Sequence, residues 1–201
     1  MAINRPQNYD NTPAGGDFTP VELGGHHLEI KQVSERKSST GKDMIVVLFD
    51  FAPNDVQAGY FMEQFKNDIR PDKKWPNQAT NYILTEDNEG NCNRSFKTFI
   101  SCCEHSNPGV QFWNENTLNL SAFKGKKIGG VFGEQMDYYE GQEKKKRVLR
   151  WFVSSDKVAD APVPNLSETS AYKSYKANAG IAATSGFMSV PDELEDELPF
   201  N

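Results

Sequence analysis

The run DMIVVLFDFA at residues 43–52 is the strongest β-strand signal in the chain. Its β-branched and aromatic side chains fill successive positions, and alternate side chains of a strand point to opposite faces. Both faces of this strand are therefore apolar. One face can fill a barrel interior, and the other has to meet a ligand or a covering element. Residues 25–35, GHHLEIKQVSE, alternate as a strand with a bulge would, and the turn-forming stretch RKSSTGKD joins the two runs into a predicted hairpin.

Weaker patterns follow along the chain. The stretch VQAGYFMEQFKND fits either a helix or a strand, and residues 82–84 predict a short third strand. Residues 95–106 place apolar side chains at helical spacing, and the NPG sequence at 107–109 ends that helix. Residues 127–136 and 147–154 predict a second hairpin, joined by the polar loop DYYEGQEKKK.

This order of elements predicts a mainly β fold. Three strands, one helix and two strands match a five-stranded oligonucleotide/oligosaccharide-binding fold (OB-fold), a Greek-key barrel whose helix lies between strands 3 and 4. We expect this barrel over residues 18–156, after an irregular N-terminal arm at 1–17. Residues 157–191 are dominated by Ala, Ser, Pro, Asn and Gly, which predicts a flexible, disordered linker. The acidic segment 192–201 ends the sequence.

The negative charge is concentrated at the end of the sequence. The formal net charge of −6 comes from 22 basic and 28 acidic side chains, and five of the acidic ones lie in DELEDELPFN at 192–201. The rest of the chain is close to neutral, so an acidic protein does not exclude a nucleic-acid partner here.

Several classes of protein are disfavoured. The apolar runs are far shorter than the ~20 residues of a membrane span. The polar N-terminus does not match a secretory signal, and three cysteines do not make a disulfide framework. We therefore expect a cytoplasmic protein.

A metal site is not expected from the soft ligands. These are Cys92, Cys102, Cys103, His26, His27 and His105. Adjacent positions on a helix point about 100° apart, and adjacent positions on a strand point to opposite faces. The spacing is also unlike the paired ligands of a structural zinc site. We expect no metal and no cofactor.

Catalytic motifs are equally weak. The sequence has no phosphate-binding glycine loop, no nucleophile elbow and no zinc-protease motif. A metal-dependent nuclease would need several converging carboxylates. The candidates are Asp50, Glu63, Asp68 and Asp72. We expect no catalytic residues, with such a nuclease as the alternative.

The pattern that favours nucleic-acid binding is a mixture of basic and aromatic side chains. Basic groups neutralise phosphates, and aromatic faces stack on unpaired bases. The second hairpin supplies Tyr138, Tyr139, Lys144, Lys145, Lys146, Arg147, Arg150 and Phe152. Strict alternation places Arg150 and Phe152 on the outer, ligand-binding face of the last strand and Trp151 in the core. The first hairpin loop adds Arg36, Lys37 and Lys42, and an irregular loop adds Lys73, Lys74 and Trp75, where Trp75 either stacks on a base or anchors the loop.

The acidic tip has the composition of a peptide ligand. Its residues are Asp192, Glu193, Glu195, Asp196, Glu197, Leu198, Pro199 and Phe200. The acids would steer the tip to a basic groove on a partner, Leu198 and Phe200 would anchor it, and Pro199 would stiffen it.

The segment DELEDELPF resembles the acidic tip of bacterial and phage single-stranded DNA-binding proteins. YFMEQFKNDIRPDKKWP, SNPG, KIGGVFGEQ and VLRWFVSSDKV resemble a family of phage and prophage single-stranded DNA-binding proteins of Gram-positive hosts. The resemblance covers residues 20–160 and the tip. It implies an OB-fold that coats single-stranded DNA and a tip that recruits partner proteins. Asn201 departs from the bacterial pattern, because it displaces the terminal carboxylate by one residue from Phe200.

We therefore expect a non-enzymatic single-stranded DNA-binding protein of phage or prophage DNA replication, recombination or repair, acting in the cytoplasm of a bacterial host. Its partners would be single-stranded DNA and replication, recombination or repair proteins bound through the tip, without a membrane. The sequence leaves open whether the protein forms a homo-oligomer. The second alternative is an OB-fold recombination adaptor that binds only protein.

Overall fold

The computed structural model describes residues 4–7, 9 and 19–185. The predicted tip at 192–201 and most of the predicted arm at 1–17 lie outside the described residues. The described part is built around a large antiparallel sheet with three α-helices, which confirms the prediction of a mainly β protein. A search of the described helices finds none with the length and apolarity of a membrane span.

The predicted first hairpin is confirmed. Strand β1 (Gly24–Lys37) pairs antiparallel with β2 (Asp43–Phe51), and the register shifts between Ile30 and Gln32, which is the expected bulge. Gly41 lies in the connecting turn with φ of 80°, a conformation that glycine adopts without steric cost.

The ambiguous segment after β2 is a helix. Helix α1 (Tyr60–Asn67) buries Phe61, whose ring stacks on Phe51 at a centroid distance of 5.1 Å. A short 3₁₀ turn at Asn77–Ala79 leads into β3 (Thr80–Leu84), which pairs antiparallel with β2. The short third strand is therefore confirmed.

Helix α2 (Arg94–Ser106) confirms the helical prediction for residues 95–106. The side chain of Asn93 caps it by accepting a hydrogen bond from the backbone N–H of Ser95 at 2.9 Å. Its buried face consists of the four positions that the spacing indicated, Phe96, Phe99, Ile100 and Cys103. A two-residue pair of strands follows, β4 (Trp113–Asn114) and β5 (Thr117–Leu118).

The second hairpin is longer than predicted. Strands β6 (Lys127–Tyr139) and β7 (Gln142–Val153) leave only Glu140 and Gly141 between them. Both turn residues have positive φ, 52° and 76°, as a two-residue turn that matches strand twist requires. The stretch expected to be a ten-residue loop is therefore mostly paired strand.

The strands of the main sheet lie in the order β3-β2-β1-β6-β7. Among the described strands, β3 and β7 end this path without pairing, so the sheet is not closed and the predicted barrel is not confirmed. One side-chain contact spans the gap, because Nε2 of Gln78 donates to the backbone oxygen of Arg147.

A cluster of aromatic rings fills the inner face of the sheet. Phe49 lies at its centre, with edge-to-face contacts to Phe61, Phe132 and Phe152 at centroid distances of 6.0, 6.2 and 6.3 Å. Such pairs contribute about 0.5–1.5 kcal/mol each beyond the area they bury. This packing joins β2, α1, β6 and β7 into one core.

Residues 157–185 differ from the predicted flexible linker. Residues 158–164, which we call the strap, lie against the outer face of β1 and β6. A Cβ on Gly25 would lie 2.1 Å from the backbone oxygen of Val158, and one on Gly129 would lie 2.6 Å from the Val158 side chain. The linker was predicted because the strap itself is poor in large apolar residues. Its packing instead depends on glycines of the sheet, which allow close approach.

The chain then returns to the second hairpin. Strand β8 (Ser167–Glu168) pairs parallel with β6, and helix α3 (Ser170–Ser185) follows. The helices α1 and α3 therefore add to the single helix that we expected.

Candidate nucleic-acid interface

The structure places the predicted basic residues of the second hairpin on strand β7, where most have partners within the protein. Nζ of Lys145 lies 2.6 Å from a carboxylate oxygen of Glu134, and Nζ of Lys146 lies 2.5 Å from one of Asp137. The hydrogen bonds from Lys146 and then from Thr169 hold the pKa of the Asp137 carboxyl below its usual value. Exposed ion pairs contribute only about 0–1 kcal/mol, so these lysines can exchange carboxylate for phosphate.

The two arginines of β7 have structural partners. Nη1 of Arg147 donates to the backbone oxygen of Val21 at 2.6 Å, and Nη1 of Arg150 donates to the backbone oxygens of Glu134 and Asn165 at 3.4 and 3.3 Å. Arg147 therefore links β7 to the residues that precede β1, and Arg150 links it to the residues after the strap. Their guanidinium groups contribute to the fold, and a role in phosphate binding stays a prediction.

The predicted faces of the last strand are wrong for Phe152 and Trp151. Phe152 is buried, and its ring contacts Phe99 at a centroid distance of 5.1 Å. Trp151 is 39% exposed. The pairing of β6 with β7 shifts by one residue at Arg150, and this bulge reverses the alternation on which the prediction depended.

The two tyrosines of the hairpin differ in their surroundings. Tyr139 is 57% exposed, with Nζ of Lys144 above its ring at 5.2 Å from the centroid. Tyr138 is half-buried, because its ring stacks on that of Tyr175 in α3.

Of the predicted residues of the irregular loop, Trp75 anchors the loop, and Lys73 and Lys74 are exposed cations. Nε1 of Trp75 donates to the backbone oxygen of Phe49 at 3.2 Å, and its ring lies 5.6 Å from that of Phe65. These contacts favour the anchoring interpretation of Trp75 over base stacking. Lys73 and Lys74 are exposed, and Nζ of Lys73 lies above the Phe65 ring at 4.8 Å.

The first hairpin contributes basic side chains at the other end of β2. Arg36 is exposed on β1. Nζ of Lys37 lies 2.5 Å from the carboxylate of Asp43, and Nζ of Lys42 donates to the side chain of Asn88 at 2.5 Å. Arg36 is therefore the member of this group whose position is best suited to contact a ligand lying on the sheet.

The residues that sequence reasoning missed form the outer face of β1, β2 and β3. Along β2, the odd positions from Ile45 to Phe51 are buried in the core, and the even positions Met44, Val46 and Leu48 are half-buried. Their cross-strand neighbours in β3 include Leu84 beside Met44 and Tyr82 beside Val46. We call this surface the open face, and its members are Arg36, Met44, Val46, Leu48, Tyr82 and Leu84.

Tyr82 is the aromatic side chain at the centre of the open face. It is 52% exposed and lies directly across from Val46. Arg36 lies across from Met44 on the opposite side of β2, so a charged group borders the apolar row. The sequence held one signal for this surface. In a short strand with Ile83 facing the core, its neighbours Tyr82 and Leu84 have to face outward.

Basic groups lie at both ends of the open face. Arg36 lies across from Met44 at one end. At the other end, Trp75 fixes the irregular loop that carries Lys73 and Lys74 beside Phe49. The row from Met44 to Leu48 spans about 13 Å at the usual rise of a strand. An extended chain with negative charges and flat apolar groups would match this arrangement.

Asp50, the leading carboxylate of the nuclease alternative, has a structural role. It is 1% exposed and accepts hydrogen bonds from the backbone N–H groups of Phe51, Phe61 and Met62 at 2.9, 2.9 and 3.2 Å. Burial raises the pKa of its carboxyl, although these hydrogen bonds oppose the shift. The carboxylate therefore anchors the start of α1 to the end of β2.

The other acidic and soft side chains do not converge. Among the described residues, no group of three or more His, Cys, Asp or Glu side chains is arranged to hold a metal ion. The Asp68 carboxylate binds Arg70, which lowers the pKa of that carboxyl to about 2. Cys103 is buried, and burial raises the pKa of its thiol.

The adjacent histidines point in different directions, as predicted. Nδ1 of His26 lies 3.0 Å from the Asp55 carboxylate inside the core, and Nδ1 of His27 lies 3.1 Å from the hydroxyl of Ser155. Burial acts to raise the pKa of Asp55, but hydrogen bonds from His26 and from backbone N–H groups outweigh it and lower that pKa. Both histidines therefore have positions that join parts of the fold.

No protein-family model matches the sequence, and no curated protein shows significant similarity to it.

Proposed function

We propose that the protein binds single-stranded DNA across the open face, and that it does so as a non-enzymatic DNA-coating protein of phage or prophage replication, recombination or repair in a bacterial cytoplasm. The observation that carries this proposal is the exposed ring of Tyr82 within a half-buried apolar row on paired strands.

Unpaired bases are the ligand that such a surface suits best. Stacking of a base on an aromatic ring contributes about 1–3 kcal/mol and tolerates any base, because every base has a π-face. The aliphatic side chains of Met44, Val46 and Leu48 offer further apolar contact on both sides of Tyr82. A duplex keeps its bases stacked inside and would leave this surface unused.

Phosphates would be neutralised at the ends of the open face. Arg36 borders one end, and Lys73 and Lys74 lie in the loop that Trp75 fixes at the other end. Lys145 and Lys146 of β7 would also bind phosphates once their ion pairs with Glu134 and Asp137 break. In this proposal the open face is the main binding surface, whereas the sequence predicted the second hairpin.

The proposal includes the OB-fold. The order β3-β2-β1-β6-β7 would close into a barrel if β3 met β7, and the contact from Gln78 to Arg147 already lies between those edges. The open face would then occupy the outside of β1, β2 and β3, next to the basic hairpin loop of the predicted binding cleft.

Binding of a fluorescent oligo-dT strand, followed by polarisation, tests the proposal. Tyr82→Ala should weaken binding by about 1–3 kcal/mol, since one stacking platform is lost. Tyr82→Phe is the matched control and should bind as the unchanged protein does. The logarithm of affinity should fall with the logarithm of salt concentration, by roughly 0.7 for each phosphate neutralised.

Three results would contradict the proposal. They are equal affinity for duplex and single strands, binding that does not depend on salt, and unchanged binding by Tyr82→Ala. Incubation of the strand with Mg²⁺ or Mn²⁺ should leave it intact, and cleavage would favour the nuclease. Absence of DNA binding, with a tip-dependent protein partner, would favour the adaptor.

We also propose that the acidic tip recruits replication, recombination or repair proteins. The support is its composition, since acids beside Leu198, Pro199 and Phe200 suit a basic groove with apolar pockets. Deletion of 192–201 should leave DNA affinity unchanged or increase it, because the acids compete with phosphate. The same deletion should abolish capture of a partner protein from host extract. A large loss of DNA affinity would refute this assignment.

A further inference from the structure

The rings of Tyr138 and Tyr175 form an unusual contact among the aromatic pairs of the described residues. Their centroids are 3.9 Å apart and their planes differ by 8°, so the rings are parallel and face to face. Most aromatic pairs in the core are tilted or edge-to-face, as ring quadrupoles prefer. The parallel arrangement is the one that an aromatic side chain adopts with a stacked base.

The helix that carries Tyr175 is held by few contacts. Tyr172 donates from its hydroxyl to the Glu143 carboxylate at 3.1 Å, and Thr169 donates from its hydroxyl to Asp137 at 2.9 Å. Within α3, Tyr172 and Tyr175 are half-buried, and every other side chain from Ser170 to Ala179 is exposed. Attachment of α3 therefore depends mainly on these two tyrosines and on the short pairing of β8.

Positive charge lies on the same face of the hairpin as the covered ring. Lys145 lies across from Met136, two residues before Tyr138, so the side chains of Lys145 and Tyr138 point to one face of the hairpin. Nζ of Lys145 lies 2.6 Å from the Glu134 carboxylate in an exposed ion pair, which a phosphate can replace at little cost. A nucleotide stacked on Tyr138 would therefore place its phosphate on the side of the hairpin where Lys145 lies.

From these contacts we infer that Tyr138 is a second stacking site, for an unpaired nucleobase, and that Tyr175 occupies it when no nucleic acid is bound. The inference rests on the proposed function and deepens it. A strand that extends beyond the open face reaches the β6–β7 hairpin, its base replaces the Tyr175 ring, and α3 leaves the hairpin. Because the acidic tip follows α3 in the sequence, DNA binding would detach the helix that precedes the tip.

The first test uses Tyr175→Ala and a long oligo-dT strand. Removal of the competing ring should tighten binding about twofold to tenfold, the range expected for one aromatic pair. Tyr175→Phe keeps the ring, Ser174→Ala changes an exposed neighbour, and both should bind as the unchanged protein does. In a Tyr138→Ala background, Tyr175→Ala should bring no gain, because the site itself is absent.

The second test follows α3 directly and needs no variant. Trypsin cleavage after Lys173 and Lys176, identified by mass spectrometry, should accelerate when oligo-dT is added to the full chain. Slower cleavage would mean that nucleic acid holds α3 in place, and would overturn the inference.

The two proposals can fail separately. If the unchanged protein binds oligo-dT but Tyr175→Ala binds equally or more weakly, the stacking site at Tyr138 is refuted and the open face stands. If the unchanged protein does not bind oligo-dT, the proposed function fails and this inference fails with it.

Discussion

Two regions of the sheet differ in what covers their outer surface. On β2 and β3, the open face presents Met44, Val46 and Tyr82, all of them partly accessible. On β1 and β6, the outer positions include Gly25 and Gly129, and the strap lies directly against their backbone. The difference shows that an outer face can be recognised by the size of its side chains. Large apolar residues at half-buried positions are available for a ligand, whereas glycines mark a surface that the chain covers itself.

On β7, two neighbouring aromatic residues show which side chain faces the core and which faces outward. Phe152→Ala should destabilise the protein by about 3–5 kcal/mol, because a buried ring leaves a cavity. Trp151→Ala removes a larger but partly exposed side chain and should cost much less. Chemical denaturation of both variants measures the difference. A larger loss for Trp151→Ala would restore the strict alternation that the sequence suggested.

A substitution under the strap should cause a smaller loss of stability. In Gly25→Ala, the added Cβ would lie 2.1 Å from the backbone oxygen of Val158, so the strap has to move. Overpacking of this kind costs about 1–3 kcal/mol. Denaturation should show the loss, and hydrogen exchange should localise it to residues 158–164. Ser34→Ala, which lies across from Val46 at the other end of β1 from Gly25, is the control and should be neutral. Unchanged exchange in the strap would contradict the close packing.

The sequence allowed the strands around β2 to be predicted because their signals are local. Alternating residues in β1, the apolar run in β2 and the helical spacing of Phe96, Phe99 and Cys103 each follow from periods that a single segment carries. These strands and the buried face of α2 could therefore be predicted before any contact was known.

The candidate site was harder to predict because it depends on register between strands. The bulge at Arg150 shifts the pairing with β6, and no local pattern in VLRWFV shows it. The partners of Lys145 and Lys146 on β6 follow only once the turn at Glu140 and Gly141 is known to have two residues. That turn carried a readable signal, since a glycine after a polar residue favours the φ values needed.

The strap also defines the unit that must be kept together when this protein is shortened or fused to another. The composition of the sequence suggests a boundary at residue 156, just before Val158. A chain ended there would lose the residues that pack on Gly25 and Gly129, and would leave β1 and β6 with bare backbone toward solvent. A piece that keeps these contacts therefore extends at least through residue 164, and one that also keeps the pairing of β8 with β6 extends through residue 168.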